Sequence, residues 1–354
     1  MIKILITGAC AVTARSIARG LKIDNPNEIY LIGIDIFENN FAVFENVYDE
    51  FYKVPKFADI LYPHKIKEII KKRKIDVALI VPEKEVKIWS KLKFNIKYLV
   101  PSSKFINCVA DKFDLYSNLS KTKFIPKSIF IKKHELDKIE YNNIKFPAWV
   151  RPCHFGVTSG LGAKKVNNKN DLIKWIRLKS NFNEWQIAEF IKGKNIAVNL
   201  LIKKNRVLNF GMYERLEYFA SNLIDNKISG NISKGKIFTN KNLLNNLKKI
   251  LKIIAVKNNL VIDGLITVDL ILPSTNIPKL TEINIRPTAP VEAYSHINNK
   301  ILINWVEAAL GRALSPSQDI IPKDTYILRD IDGKLKVIDN MKKKLKLLIS
   351  NITN

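Results

Sequence analysis

Residues Gly264 to Pro290 read GLITVDLILPSTNIPKLTEINIRPTAP. Two runs rich in β-branched and apolar residues, 265–272 and 279–285, flank Pro273-Ser274-Thr275-Asn276, which is turn chemistry. The pattern predicts two strands joined by a polar turn. Side chains alternate across a strand, so Glu282 and Asn284 share a face, and Asp269 on the neighbouring strand is placed to join them. Three oxygen ligands on rigid strands suit a hard cation such as Mg²⁺, with a nucleotide's phosphates completing the shell. Arg286 stands two residues beyond Asn284 and is expected to continue that face, where its cation would hold a phosphate or a carboxylate.

The chain around this stretch has 354 residues, 47% of them hydrophobic, enough for two or three domains with real cores. No apolar run approaches the roughly 20 residues needed to span a bilayer, and the N-terminal MIKILITGAC does not read as a signal peptide. A cytoplasmic protein without a membrane partner is expected. Its three cysteines, Cys10, Cys108 and Cys153, are too scattered for a disulfide framework or a metal cluster. The net charge of +26 would suit a polyanionic partner. The lysines are spread along the whole chain, however, and no nucleic-acid-binding motif accompanies them, so a composition bias explains the charge more simply.

From the N-terminus, 2–6 reads as a buried strand, 7–11 as a small-residue turn, Val12 to Lys22 as a helix and 28–34 as a second strand ending at Asp35. This is a βαβ unit. The turn is a poor dinucleotide fingerprint: Gly8 is present, but Cys10 and Thr13 stand where that motif wants glycines. Gly8 and Asp35 are candidate substrate contacts, with turn packing and loop capping as the plainer alternatives. The unit repeats through a helix from Tyr62 to Lys72 and a strand at 75–81, followed by Glu83, a third candidate substrate contact at a strand's C-terminal edge. A first domain is expected to close near residue 103.

Residues 107–119 read as one helix carrying Lys112. Then FPAWVRPCHFGVTSGLGAKKV, 146–166, reads as a strand ending at Arg151, a loop with Gly156, Ser159, Gly160 and Gly162, and a returning strand. Such a loop can lay backbone N–H groups on phosphates and move as a lid; taken alone it is also what an ordinary flexible hairpin looks like. Further on, two strands are expected to flank Lys192-Gly193-Lys194, with Glu189 and Phe190 before the turn. An extended segment there can pair its backbone with an adenine edge. Residues 206–239 look strand-like without readable chemistry. Residues 242–258 form an amphipathic helix, 300–310 a helix closed by Gly311, and 325–338 a hairpin turning at Asp332-Gly333, ahead of a basic tail.

Taken in order, these segments resemble the ATP-grasp superfamily, and within it the carbamoyl-phosphate-synthase-like carboxylate–amine ligases. Asp111-Lys112 is similar to the first phosphate-binding basic residue of that family. Val150-Arg151-Pro152 with 156–162 is similar to its second basic residue and lid loop, and Arg in place of the commoner Lys occurs in the carbamoyl-phosphate-synthase branch. Glu189-Phe190-Ile191 with Gly193 resembles the adenine-holding hinge. Asp269 with Glu282-Ile283-Asn284-Ile285-Arg286 resembles the metal-binding signature. The resemblance spans roughly residues 105–312 and departs at Asn195, near where the family usually has a Glu for the ribose hydroxyls.

The resemblance implies a mixed α/β and α+β fold. A Rossmann-like pre-ATP-grasp domain (1–103) precedes an ATP-grasp fold of two α+β subdomains, a lid subdomain (104–190) and a C-terminal one with the metal site (191–322), and a hairpin and tail follow (323–354). It implies an ATP-dependent ligase that activates a carboxylate as an acyl phosphate for attack by an amine, releasing ADP and phosphate. Lys112, Arg151, Gly156, Ser159, Gly160, Gly162, Glu189, Phe190, Ile191 and Asn195 would bind ATP. Asp269, Glu282 and Asn284 would hold Mg²⁺ or Mn²⁺, and Arg286 and Arg151 would serve the transfer step. A homodimer is the superfamily's suggestion. Two other readings stay open: a nicotinamide-dependent oxidoreductase resting on Gly8 and Asp35, and a non-catalytic basic nucleic-acid-binding protein.

Overall fold

The computed structural model describes residues 1–38, 41–153, 160–219, 231–317 and 324–330. The first unit is a parallel sheet. Its strands are β1 (Ile2–Thr7), β2 (Ile29–Asp35), β3 (Glu50–Lys53), β4 (Val77–Leu79) and β5 (Lys97–Tyr98), in the order β3-β2-β1-β4-β5. Ile4, Leu5 and Ile6 of β1 are wholly buried, as continuous apolar strands covered on both faces should be. The covering helices are α1 (Val12–Asp24), α2 (Phe41–Phe44), α3 (Tyr62–Arg73) and α4 (Glu83–Trp89).

The helix expected over 107–119 is two helices, α5 (Ser103–Val109) and α6 (Lys112–Leu119). Asp111 makes the break. Its Oδ1 accepts the Phe113 N–H at 2.7 Å, an N-cap that starts a new helix and puts Lys112 at its first position. A four-stranded antiparallel sheet follows, built of β6 (Ser128–Lys132), β7 (Ala148–Pro152), β8 (Lys164–Val166) and β9 (Glu184–Glu189) in the order β6-β9-β7-β8, with α7 (Lys169–Leu178) packed on it.

The third sheet is antiparallel and six-stranded. Its strands are β10 (Lys194–Lys203), β11 (Arg206–Tyr218), β12 (Ile232–Phe238), β13 (Gly264–Leu272), β14 (Lys279–Asn284) and β15 (Tyr326–Leu328), in the order β14-β13-β10-β11-β12-β15. α8 (Lys241–Lys257) covers one face with Leu243, Leu247, Ile250, Leu251 and Ile254. At about 2 kcal/mol for each fully buried large apolar side chain, that stripe holds the helix down. α9 (Ala293–His296) and α10 (Ile301–Leu310) cover the other face, and α10 ends at Gly311 with φ +77°.

The two strands expected around Lys192-Gly193-Lys194 are β9 and β10, which lie in the four-stranded and the six-stranded sheet, so 190–193 crosses between subdomains. A Cβ on Gly193 would meet the Leu272 carbonyl oxygen at 2.6 Å, which is why the crossing passes the end of β13 on a glycine. The expected hairpin at 325–338 has its first arm in β15, which pairs with β12 in the larger sheet; its turn lies outside the described residues. Among the described residues no helix is long and apolar enough to cross a membrane.

Candidate active site

The opening stretch folds as β13 and β14, antiparallel, with Asp269 opposite Glu282 and Thr267 opposite Asn284. One face therefore carries Asp269, Glu282 and Asn284. The Asn284 amide nitrogen donates to Asp269 Oδ2 and Glu282 Oε1, each at 3.2 Å. Two carboxylates and an amide head thus meet at one point. Turning the amide over would present its oxygen there, and that all-oxygen set suits a hard cation. Among the described residues no three His, Cys, Asp or Glu side chains cluster in a way that could hold a metal, so a cation here depends on the amide as third ligand.

Cations surround the pair. Lys112 Nζ, on the first residue of α6, lies 3.5 Å from Glu282 Oε2. Arg151, near the end of β7, donates to Gln186 Oε1 at 2.7 Å and to the Thr281 carbonyl at 2.8 Å, which fixes its guanidinium at the junction of the two sheets. Arg215 of β11 binds Asp269 Oδ1 at 2.6 Å. The two carboxyls respond in opposite directions. Burial, reinforced by the Glu282 charge, pushes Asp269 up even against Arg215. Burial would also raise Glu282, but Lys112 and Arg151 outweigh it and hold that carboxyl low. Glu282 is the stronger acid of the pair.

These residues line one cavity of about 520 Å³ between the three sheets. Lys112, Arg151, Gly160, Glu189, Phe190, Ile191, Asn195, Asp269, Glu282, Asn284, Arg286 and Glu83 all reach it. Side chains read 170 residues apart in the sequence are thereby brought together. Strand β14 ends at Asn284, so Arg286 does not continue the ladder. Its Nε turns to Glu83 Oε1 at 3.3 Å, across the boundary with the parallel sheet. Glu83 opens α4, and its Oε1 is buried without a hydrogen bond. Burial pushes its carboxyl up, Arg286 notwithstanding.

Gly8 and Asp35 are not among the cavity-lining residues. Gly8 has φ +60°, and a Cβ there would meet Pro82 Cγ at 2.3 Å. Asp35 accepts the Cys10 N–H at 2.8 Å and the Phe37 N–H at 3.3 Å. Both are occupied in holding the turn after β1. Gly162 also stands back from the cavity, packed on Pro152 and Phe182. Gly156 and Ser159 lie outside the described residues. Asn195 reaches the cavity with both polar ends engaged: it donates to Tyr218 Oη at 2.6 Å and accepts from Arg215 at 3.0 Å. Glu189 Oε1 accepts the Lys127 N–H at 3.0 Å.

Sequence reasoning missed Arg215 and the layer beneath the site. Asn199 Oδ1 accepts the Thr288 N–H at 3.0 Å, and the Thr267 hydroxyl lies 2.8 Å from the Arg286 carbonyl, so the loop carrying Arg286 is pinned to β10 and β13. Alternation along β11 would have set Tyr213 and Arg215 on one face. Which face that was depended on the order of strands in the sheet.

A parallel-sheet domain followed by two α+β subdomains clasping a cavity of cations and oxygen ligands defines the ATP-grasp class. The D-ala D-ala ligase C-terminus family matches residues 118–294. The chain belongs to that family, which is an ATP-grasp family. Solved structures with the same fold include three at low identity. An N5-carboxyaminoimidazole synthetase from Staphylococcus aureus complexed with ADP has 18% identity and TM-score 0.65, covering 92% of this chain and 80% of that one. The L-amino acid ligase from Bacillus licheniformis has 13% identity and TM-score 0.61, covering 89% and 76%. A biotin carboxylase–β-γ-ATP complex from Campylobacter jejuni has 15% identity and TM-score 0.62, covering 89% and 72%. No curated protein matches the chain by sequence.

Proposed function

We propose that the protein is an ATP-dependent ligase that phosphorylates a carboxylate and passes the acyl group to an amine, releasing ADP and phosphate. The convergence of Lys112, Arg151, Asp269, Glu282, Asn284 and Arg286 on one cavity carries this reading. Phosphoryl transfer needs alignment and charge neutralisation more than a protein nucleophile, and this is what the cavity offers. No histidine is required.

In this reading the crossing at Glu189, Phe190 and Ile191 takes the adenine, and Lys112 and Arg151 take the phosphates. Arg151 is held by Gln186 and the Thr281 carbonyl, so little of its rotamer freedom remains to be lost on binding. Gly156, Ser159 and Gly160 would fold over the phosphates and exclude water. Asp269, Glu282 and Asn284 would hold Mg²⁺, or Mn²⁺, which would neutralise charge on the phosphates. Arg215 must then share Asp269 with the metal or turn to an anion. A ribose contact by Asn195 requires its bonds to Tyr218 and Arg215 to open. Arg286 stabilises charge building on the transferred group and the acyl oxygen. Glu83, buried beside it with a raised proton affinity, takes the proton lost by the attacking amine as the carbon–nitrogen bond forms and phosphate leaves.

The test is product analysis. Offered ATP with pools of amino acids and other carboxylates, the protein should release ADP and phosphate in equal amounts and only with Mg²⁺. AMP and pyrophosphate would rule out the acyl-phosphate route. Glu282→Ala should abolish turnover with the fold retained, because the side chain is 33% exposed to the cavity and contributes little to the core. Persisting activity in that variant would remove Glu282 from the metal site.

A further inference from the structure

Arg329 follows β15 at the far edge of the six-stranded sheet. Strand β15 pairs with β12 through Leu328 and Lys234, Ile327 and Gly235, and Tyr326 and Lys236, with Ile327 buried. The Arg329 N–H donates to the Ser233 carbonyl at 2.8 Å, which extends the pairing with β12 by one residue. Its side chain lines the same cavity as the metal-ligand set, beside Ile232.

The arginines of this cavity differ in what they are tied to. Arg151 is held by Gln186 and the Thr281 carbonyl, Arg215 by Asp269, and Arg286 by Glu83. Among the described residues Arg329 has one long side-chain hydrogen bond, Nη1 to the Ile232 carbonyl at 3.3 Å, and its guanidinium carbon stands 5.7 Å from the Phe219 ring centre. No carboxylate pairs with it among the described residues. A guanidinium carries five N–H donors, and Arg329 is half-buried at the cavity wall, where part of its hydration is lost and an anion would compensate it. The neighbouring α1 adds charge of the same sign: burial together with Arg19 and Arg15 pulls the Arg329 pKa down, and the nearby Glu292 is already bound to Arg19 at 2.7 Å. This is the environment of a cation awaiting an anionic ligand.

Position says which anion it is not. In the sheet order, β15 and β13 are separated by β10, β11 and β12. Four strand spacings of about 4.8 Å put the two backbones roughly 19 Å apart. A group on Arg329 is therefore distinct from the carboxylate activated next to Asp269 and Glu282. We propose that Arg329 is the anchor of a substrate subsite that takes a second anionic group, a carboxylate or a phosphate ester remote from the reacting atoms. The proposal deepens the ligase reading and rests on it for the word substrate; the anion site itself stands on Arg329 alone.

Calorimetric titration of the full chain tests both, with and without saturating Mg²⁺ and a non-hydrolysable ATP analogue that fills the γ-phosphate position. Succinate and ribose 5-phosphate are the probes, and they tell a carboxylate site from a phosphate site. The wild type should bind one of the two with the analogue in place. Arg329→Ala should weaken that probe tenfold or more and leave the analogue's affinity unchanged. Lys71→Ala, on the exposed lysine-rich end of α3, controls for general attraction to a chain of net charge +26 and should change neither. The subsite is overturned if neither probe binds, if Arg329→Ala binds as tightly as the wild type, or if Lys71→Ala loses as much. Failure of the analogue itself to bind would instead sink the nucleotide reading, with the anion result read separately.

Discussion

Arg215 shows at the scale of one residue how the site stores opposed charges. It is the guanidinium on which the buried Asp269 carboxylate leans, and it also holds Asn195. Removing one partner of a buried ion pair leaves the other uncompensated, at a cost of about 3–5 kcal/mol. Arg215→Met should approach that cost, and the loss should depend on pH. Asp269 already has a raised proton affinity, and it rises further once the arginine is gone. A raised carboxyl contributes stability that is present below its unfolded pKa and lost as pH rises through the folded one. The variant's deficit in urea unfolding should therefore be smaller at pH 5 than at pH 8. Equal deficits would mean that Arg215 supports Asp269 by packing alone. The sequence made Asp269, Glu282 and Asn284 legible because strand alternation is local. Arg215 was not legible, because its partner is set by β11 lying two strands from β13, a fact no local pattern contains.

At the scale of elements, α4 carries two acids two residues apart that face different surroundings. Glu83, its first residue, faces the cavity, and Glu85 turns inward, where Tyr62 donates to its Oε2 at 2.6 Å. Burial pushes Glu85 up to about 7. Its contribution is fully present below about pH 4.5, the unfolded value, and is lost as pH rises through about 7. With the side chain partly exposed, the loss is about 2 kcal/mol. Glu85→Gln can still accept from Tyr62 and has no charge to bury. The variant should match the wild type at pH 4 and exceed it by about 2 kcal/mol at pH 8, measured as the difference between the two urea curves. A constant difference across that range would show that Glu85 is solvated when ionised. Element existence was readable from apolar periodicity, and most strands fall within two residues of expectation. The one helix that came out as two has a physical cause: Asp111 caps a second helix where the sequence pattern ran on.

Across the whole molecule, the parallel-sheet unit is bound to the larger sheet's helices rather than tethered beside them. Helix α1 lies on α9 and α10. The Glu292 N–H donates to Ser16 Oγ at 3.1 Å, Arg19 pairs with Glu292, and Trp305 Nε1 donates to the Leu99 carbonyl at 3.1 Å. Gly20 permits this approach: a Cβ there would lie 2.4 Å from Leu302 Cδ1 and 3.3 Å from the Glu292 Cα, a backbone atom that no rotamer change can move away. Gly20→Val should push α1 off its seat at a cost of about 1–3 kcal/mol. The consequence for function follows from which domain supplies which group. The nucleotide contacts proposed here lie between Lys112 and Arg286, all outside the parallel-sheet unit, whereas Glu83 reaches Arg286 from inside it. The variant should bind an ATP analogue within about threefold of the wild type and turn over at least tenfold more slowly. A matched loss of nucleotide affinity would show that the N-terminal unit shapes the ATP end as well. Unchanged turnover would show that Glu83 and its domain take no part in the transfer.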